Sequence, residues 1–293
     1  MGTEDNKIII PVDFGDQAMI ALKQSFNLAK LTGGELVLVY VIDDDFLSSF
    51  TDFVSKGDDF ESQLRKDVSN KLNDIAENVR KETGLKVTTE ILTGKVYEEI
   101  VTFADDQNAS LIIMGTQGPI GLKKRFLGSN ASRVVRAAHC PVITIKGKLH
   151  RTGCKNILLP LDLTKETKEK VNRAINLAKL FNSQIHIVSM IEDDDEFIVN
   201  KLTRQMNQVS DFISDAGIEC STELIQGSDV AEEVVKAAER LEADLIMIMT
   251  QQEVGWVDFF LAPSAQDIIN LSEIPVLAIR PMKRKDTTEF MIT

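Results

Sequence analysis

Hydrophobic positions along this chain fall into two alternating rhythms. Ile8–Val12 is a short, mostly β-branched run followed by a breaker, the pattern of a strand covered on both faces. From 16 to 32 the apolar residues return every three or four positions, Ala18, Ala21, Leu22, Phe26 and Ala29 among them, and Gly33-Gly34 closes that helix. Glu35–Ile42 predicts a second buried strand. Residues 58–82, with Leu64, Val68, Leu72, Ile75 and Val79 on one face, predict a long amphipathic helix ending at Gly84. A strand at Lys86–Leu92, a helix over 96–108, a strand at Ser110–Met114, a helix over 129–138 and a strand at Val142–Lys146 complete the series. Strands joined by helix-length crossovers favour a parallel sheet with helices on both faces.

The series then starts again. Lys7-Ile-Ile-Ile-Pro-Val-Asp13 returns as Lys155-Asn-Ile-Leu-Leu-Pro-Leu-Asp162, and Asn27-Leu-Ala-Lys-Leu31 returns as Asn176-Leu-Ala-Lys-Leu180, with Pro11, Asp13 and Asn27 each offset by 149. Near the end of each copy, Leu111–Gly115 matches Leu245–Met249, and Cys140–Ile145 matches Ile274–Ile279, now offset by 134. The first copy therefore carries about 15 extra residues, best placed within 44–60. The chain is a tandem duplication of one α/β unit. Its expected layout is a domain at 1–148, a second at 153–281 and a tail at 282–293.

Charge divides unevenly between the copies. The 293 residues carry a net charge of -12, yet residues 1–148 hold 18 Lys+Arg against 21 Asp+Glu, whereas 149–293 hold 15 against 24. An acidic chain repels polyanions, so neither nucleic acid nor a membrane surface is an expected partner. Cys140, Cys154 and Cys220 form no CxxC pair and no disulfide framework. The N-terminus has no apolar leader and no run is long enough to span a bilayer, so a cytoplasmic location is expected.

One stretch opposes the overall charge. Between Asp106 and Asp162 there is no acid, while Lys123, Lys124, Arg125, Arg133 and Arg136 fall there, close to Gly115, Gly118, Gly121 and Gly128. Glycines let backbone approach a ligand closely. Gly128-Ser129-Asn130 opens a helix with Ser129 or Asn130 as candidate N-cap, and the free N–H groups and dipole of a helix start suit phosphate. In open α/β sheets such a loop lies at the carboxyl edge of the strands, beside the loops after Val12 and Val41.

The spacing Gly115-x2-Gly118-x9-Gly128-Ser129-Asn130 resembles the nucleotide loop of the universal stress protein family. Pro11-Val12-Asp13, Val39-Tyr40-Val41 and Cys140-Pro141-Val142 fit the same pattern, and the resemblance runs through both copies. It implies the HUP fold (adenine-nucleotide alpha-hydrolase-like): two tandem doubly wound parallel five-stranded sheets, paired about a pseudo-twofold with Val142–Lys146 and Val276–Arg280 near the interface. It also implies ATP as ligand, with Mg²⁺ an optional companion. Asp13 would meet the ribose or the adenine amino group. Val41 and the backbone at Pro11 and Val12 would flank the base, and Met114 would line its pocket. Gly115 and Gly118 would border ribose and phosphates, and Gly128, Ser129, Asn130 and Ala131 would bind phosphate oxygens. A homodimer is compatible with the resemblance.

The second copy departs from the motif. Gly115, Gly118, Gly128 and Ser129 become Met249, Gln252, Ala262 and Pro263, and 249–270 holds Glu253, Asp258 and Asp267 with no base. One nucleotide per chain, in the first copy, is the expectation. No catalytic residue is assigned: there is no P-loop and no evident general base, so turnover is at most slow hydrolysis. A nucleotide-free scaffold and an adenylyl-transfer enzyme of similar topology are the competing readings. Asp43-Asp44-Asp45 and Glu192–Glu196 lack calcium-loop spacing and read as solvated acidic loops, so no metal site is assigned. Cys140 reads as a small buried hydrophobe, and Trp256, Phe259 and Phe260 as interface or core residues.

Overall fold

The computed structural model describes residues 6–51, 57–116, 128–147, 153–162, 167–192, 195–250 and 263–281. In the first copy, β1 (Lys7–Pro11), α1 (Asp16–Thr32) and β2 (Glu35–Asp43) are followed by α2 (Asp44–Thr51), α3 (Gly57–Thr83) and β3 (Val87–Gly94). Then come α4 (Val96–Asp106), β4 (Leu111–Gly115), α5 (Ser129–Ala137) and β5 (Val142–Ile145). The second copy runs β6 (Asn156–Leu161), α6 (Thr167–Phe181), β7 (Gln184–Ile191), α7 (Glu196–Asp215) and β8 (Cys220–Gln226). It ends with α8 (Val230–Arg240), β9 (Leu245–Met249), α9 (Pro263–Leu271) and β10 (Val276–Ile279). Among the described residues no helix is long and apolar enough to cross a membrane.

These strands form one sheet in the order β3-β2-β1-β4-β5-β10-β9-β6-β7-β8. Every pairing within a copy is parallel, and β5 with β10 is antiparallel. The two expected five-stranded sheets thus join edge to edge. At the repeat offset of 134, Val142, Ile143 and Thr144 correspond to Val276, Leu277 and Ala278. Their pairing is Val142 with Ala278, Ile143 with Leu277 and Thr144 with Val276, which puts the pseudo-twofold through the Ile143–Leu277 pair. Hydrogen bonds repeat accordingly. Thr116 N–H donates to the Ile145 carbonyl and Thr250 N–H to the Ile279 carbonyl, each at 2.9 Å.

Alternation along the buried strands divides the core into two layers. Ile8, Ile10, Leu36 and Leu38 face α1 and α3, and the same layer continues through Ile157, Leu159, α6 and α7. Ile9, Val37, Val39 and Ile112 face α4 and α5, and that layer continues under α8 and α9. Gly33 ends α1 in the left-handed region, φ 64°, which a glycine enters without strain.

The extra residues of the first copy include α2, and the acidic runs turn out to cap helices. Asp43 accepts the Asp45 N–H at 2.9 Å where α2 begins, and Asp195 accepts the N–H groups of Phe197 and Ile198 at the start of α7. Within the second run, Asp193 and Asp194 lie outside the described residues.

Across the junction each copy ties down the other's helix end. Lys146 Nζ donates to the Asn270 carbonyl near the end of α9, and Arg280 Nη1 donates to the Ala137 carbonyl at the end of α5, at 3.3 Å. Ser132 and Gln266, equivalent positions at offset 134, hydrogen-bond to each other at 3.1 Å. Lys146→Met and Arg280→Met should each lower the unfolding free energy by about 1 kcal/mol. Urea denaturation reads this directly, and unchanged midpoints in both variants would show that these contacts do not stabilise the junction.

Candidate functional site

In the first copy β1 lies between β2 and β4, so the connections leave it in opposite directions. Such a switch point opens a crevice beyond the carboxyl ends of the strands. A cleft of 520 Å³ sits there, within the range usual for small-molecule sites. Pro11, Val12 and Asp13 enter it from β1 and the loop that follows, Val41 from β2, and Met114 and Gly115 from β4. Gly128, Ser129, Asn130 and Ala131 enter from the start of α5. Of the residues singled out in the sequence, Gly118 lies outside the described residues, as do Lys123, Lys124, Arg125, Trp256, Phe259 and Phe260.

One wall of the cleft is apolar. Val39 and Val41, towards the end of β2, face Val96 and Ile100 of α4, with Met114 beside them. The opposite end is polar backbone. Ser132 N–H makes the first helical bond of α5, to the Gly128 carbonyl at 3.1 Å. The N–H groups of Ser129, Asn130 and Ala131 therefore precede the helical ladder, where a helix start offers donors and positive potential. The N-cap is Gly128, with no side-chain cap bond, so Ser129 and Asn130 stand one and two places inside the helix rather than at its cap. Beside this turn the Arg133 guanidinium lies over the Tyr97 ring at 5.0 Å.

The loop after β1 is held by its own polar and aromatic groups. Asp13 does not cap α1, whose N-cap is Gly15; its Oδ1 instead accepts the Gly15 N–H at 2.8 Å. This short turn puts Phe14 at φ 62°, a conformation that costs a non-glycine residue on the order of 1 kcal/mol. The Phe14 ring stacks on Tyr40 at 4.9 Å and carries Lys71 Nζ at 4.3 Å from its centroid. These contacts offset the strain. Burial, and then the negative charge of Asp13, push the Tyr40 phenol above its ordinary value.

Gln17 is a lining residue that the sequence did not mark. Gln17 lines the cleft from the first turn of α1, donating from Nε2 to the Gly147 carbonyl at 3.1 Å, while its buried Oε1 has no partner among the described residues. Gly115 has a reason for being glycine other than the one expected. A Cβ there would stand 2.5 Å from the backbone carbonyl of Gln17, so the close approach it permits is that of α1.

The second copy differs at the corresponding places. Met249 stands where Gly115 does, and Pro263, which has no N–H, opens α9 where Ser129 opens α5. Lys170, equivalent to Ala21, is 5% exposed and donates from Nζ to the Pro160 carbonyl at 2.6 Å. Gln205 donates to the Asp162 carbonyl at 3.0 Å. Cys140 in the first copy is half-buried, and burial raises its thiol pKa to about 12, as befits a packing residue.

The universal stress protein family profile matches residues 6–146 and again 153–280. The chain belongs to the universal stress protein family. Universal stress protein MJ0531 of Methanocaldococcus jannaschii is 38% identical over 141 residues, which is 48% of this chain and 81% of that protein. Universal stress protein MJ0577 of the same organism is 32% identical over 154 residues, 48% of this chain and 95% of that protein. A universal stress protein from Archaeoglobus fulgidus has the same fold over nearly the whole length. Its TM-score is 0.75, at 20% identity, with 96% of this chain and 98% of that one covered.

The Asp13–Tyr40 coupling can be read spectroscopically. In a Tyr97→Phe background, Asp13→Asn should lower the Tyr40 ionisation midpoint, because the carboxylate disfavours tyrosinate. The midpoint should stay above 10.0, since burial is the larger cause. A raised midpoint also means that this group's contribution to stability is lost as pH climbs above the ordinary value. An unmoved tyrosinate absorbance curve would separate Asp13 from Tyr40.

Proposed function

We propose that this protein is an ATP-binding regulatory protein of the stress response, holding one adenine nucleotide per chain in the first-copy cleft. The observation that carries the reading is the meeting of an apolar slot with a helix start inside one crevice. The slot between Val39, Val41, Val96 and Ile100 suits a planar base. The N–H groups at Ser129, Asn130 and Ala131 suit phosphate oxygens. Asp13 supplies the one carboxylate among the described residues lining the cleft and suits a hydroxyl or amino donor. Gly118 and the adjoining bases belong to the same loop in sequence. Mg²⁺, in this reading, enters bound to phosphate oxygens.

The second copy, 153–281 in this reading, does not take part. Pro263 supplies one N–H fewer than Ser129, and Lys170 and Gln205 bond to the carbonyls of Pro160 and Asp162. The protein works by binding rather than turnover: a ligand with different affinity for two conformations shifts the balance between them. The three free cysteines accord with a reducing, cytoplasmic setting.

Calorimetric titration with ATP should give a stoichiometry of one. Ser129→Pro, copied from the second copy, should weaken binding about tenfold by removing one donor and one hydroxyl. Proline is tolerated at the first helical position, so circular dichroism should not change. Two equal sites, no binding, or an unaffected Ser129→Pro variant would each reject the reading.

A further inference from the structure

Four non-glycine residues have positive φ among the described residues: Phe14, Asn108, Asn182 and Glu242. The last three follow the ends of α4, α6 and α8, where a left-handed residue commonly closes a helix. Phe14 is different. It lies between β1 and α1, next to Asp13, which lines the cleft, and a bulky side chain rarely adopts its φ of 62°. Strain of this kind persists only where the surroundings hold it, and it gathers at ligand sites. Two side chains hold Phe14. Tyr40, near the end of β2, stacks on it with centroids 4.9 Å apart and planes 22° from parallel. Lys71, in the middle of α3, sets Nζ 4.3 Å from the Phe14 centroid. The second copy has no such assembly. At offset 149 Phe14 becomes Leu163, and Tyr40 becomes Ser189, whose hydroxyl donates to the Leu161 carbonyl at 3.0 Å. The two rings thus belong to the copy that keeps Gly115 and Ser129.

We propose, on the nucleotide reading of the cleft, that Tyr40 and Lys71 are positioning residues: they clamp Phe14 in its left-handed conformation and so hold Asp13 for a ligand hydroxyl or amino group. The clamped turn is the one in which Asp13 Oδ1 accepts the Gly15 N–H at 2.8 Å, which leaves Oδ2 for a donor in the cleft. Without the clamp Phe14 relaxes to negative φ, and the carboxylate loses this fixed place. The ligand then meets Asp13 correctly placed in only a fraction of the molecules, and its apparent affinity falls by that fraction. The clamp also ties α3 to the site, although no described residue of α3 lines the cleft.

Calorimetric titration of the full chain with ATP tests the clamp. Lys71→Met should weaken binding about threefold and Tyr40→Leu about fivefold, as expected for losing a cation–π contact and an aromatic pair. Lys71→Arg, which keeps a cation over the ring, should restore the affinity. Phe14→Gly decides how the two residues act. Glycine enters φ 62° without strain and offers no ring to clamp, so Lys71→Met and Tyr40→Leu should have no further effect in that background. An equal loss in both backgrounds would mean that Lys71 attracts the phosphates directly, or that Tyr40 touches the ligand, and would overturn the proposal. Unchanged affinity in Lys71→Met would overturn it too. Should Phe14→Gly or Tyr40→Leu fail to fold, the Gly15 amide decides the matter in Lys71→Met, at an exposed position. Its hydrogen exchange should quicken about threefold if the turn is loosened, and an unchanged rate would overturn the proposal. A wild-type chain that binds no ATP would reject the nucleotide reading and the clamp with it, whereas ATP binding without coupling to Phe14 would reject the clamp alone.

Discussion

The pairing of β5 with β10 is the constraint on which the rest of this structure depends. A parallel five-stranded sheet ends in a strand with unpaired backbone groups, which must be covered, paired or blunted. Here each copy supplies the partner for the other's last strand. Because the two strands are equivalent, the pairing is antiparallel and centred on Ile143 and Leu277. That choice sets α5 and α9 side by side, where Ser132 meets Gln266. It also brings the bases at the ends of β5 and β10 to the helix ends of the opposite copy. The start of α5, which gives the cleft its donors, is therefore positioned by a helix that the junction holds.

Within this symmetric frame the copies have diverged by single residues. Glycine at 115 admits the backbone of α1, whereas the equivalent Met249 carries a long side chain. Ala21 is a small core residue, whereas the equivalent Lys170 carries a buried ammonium to a carbonyl at the strand end. Thr32 borders a 310 Å³ slot over the junction, whereas the equivalent Phe181 borders a second slot of only 70 Å³. Duplication keeps the hydrophobic layers common to both halves and frees the edge residues to take different chemistry.

Much of this could be read from the chain because its signals are local. The β-branched runs and the 3.6-residue periodicity place every element of the first copy except α2 to within a residue or two, down to the long α3; α2, in the inserted residues, reads as an acidic loop. Repeat offsets reveal the duplication, since a core position tolerates few residue types. Tyr40 goes unmarked although Val41 beside it is assigned to the site, and Gln17 stays hidden because nothing in its neighbours marks it. Tyr40 becomes part of the site through a stack with Phe14, and Gln17 through a bond to Gly147, 130 residues away. Helix caps misled in both directions. The acids at 43 and 195 look like idle surface charge but satisfy helix N–H groups, whereas Ser129, a good cap by type, sits inside its helix. Neither the joining of two sheets into one nor the two slots over the junction follows from either copy alone.

Amide hydrogen exchange across the β5–β10 pair tests the central claim most directly. If the junction binds the copies into one cooperative sheet, the ladder amides of Val142–Ile145 and Val276–Ile279 should exchange last, together, and with the same free energy as those of β1 and β6. Early exchange of β5 and β10, while β1 and β6 stay protected, would show that the two halves are held independently and would contradict the account.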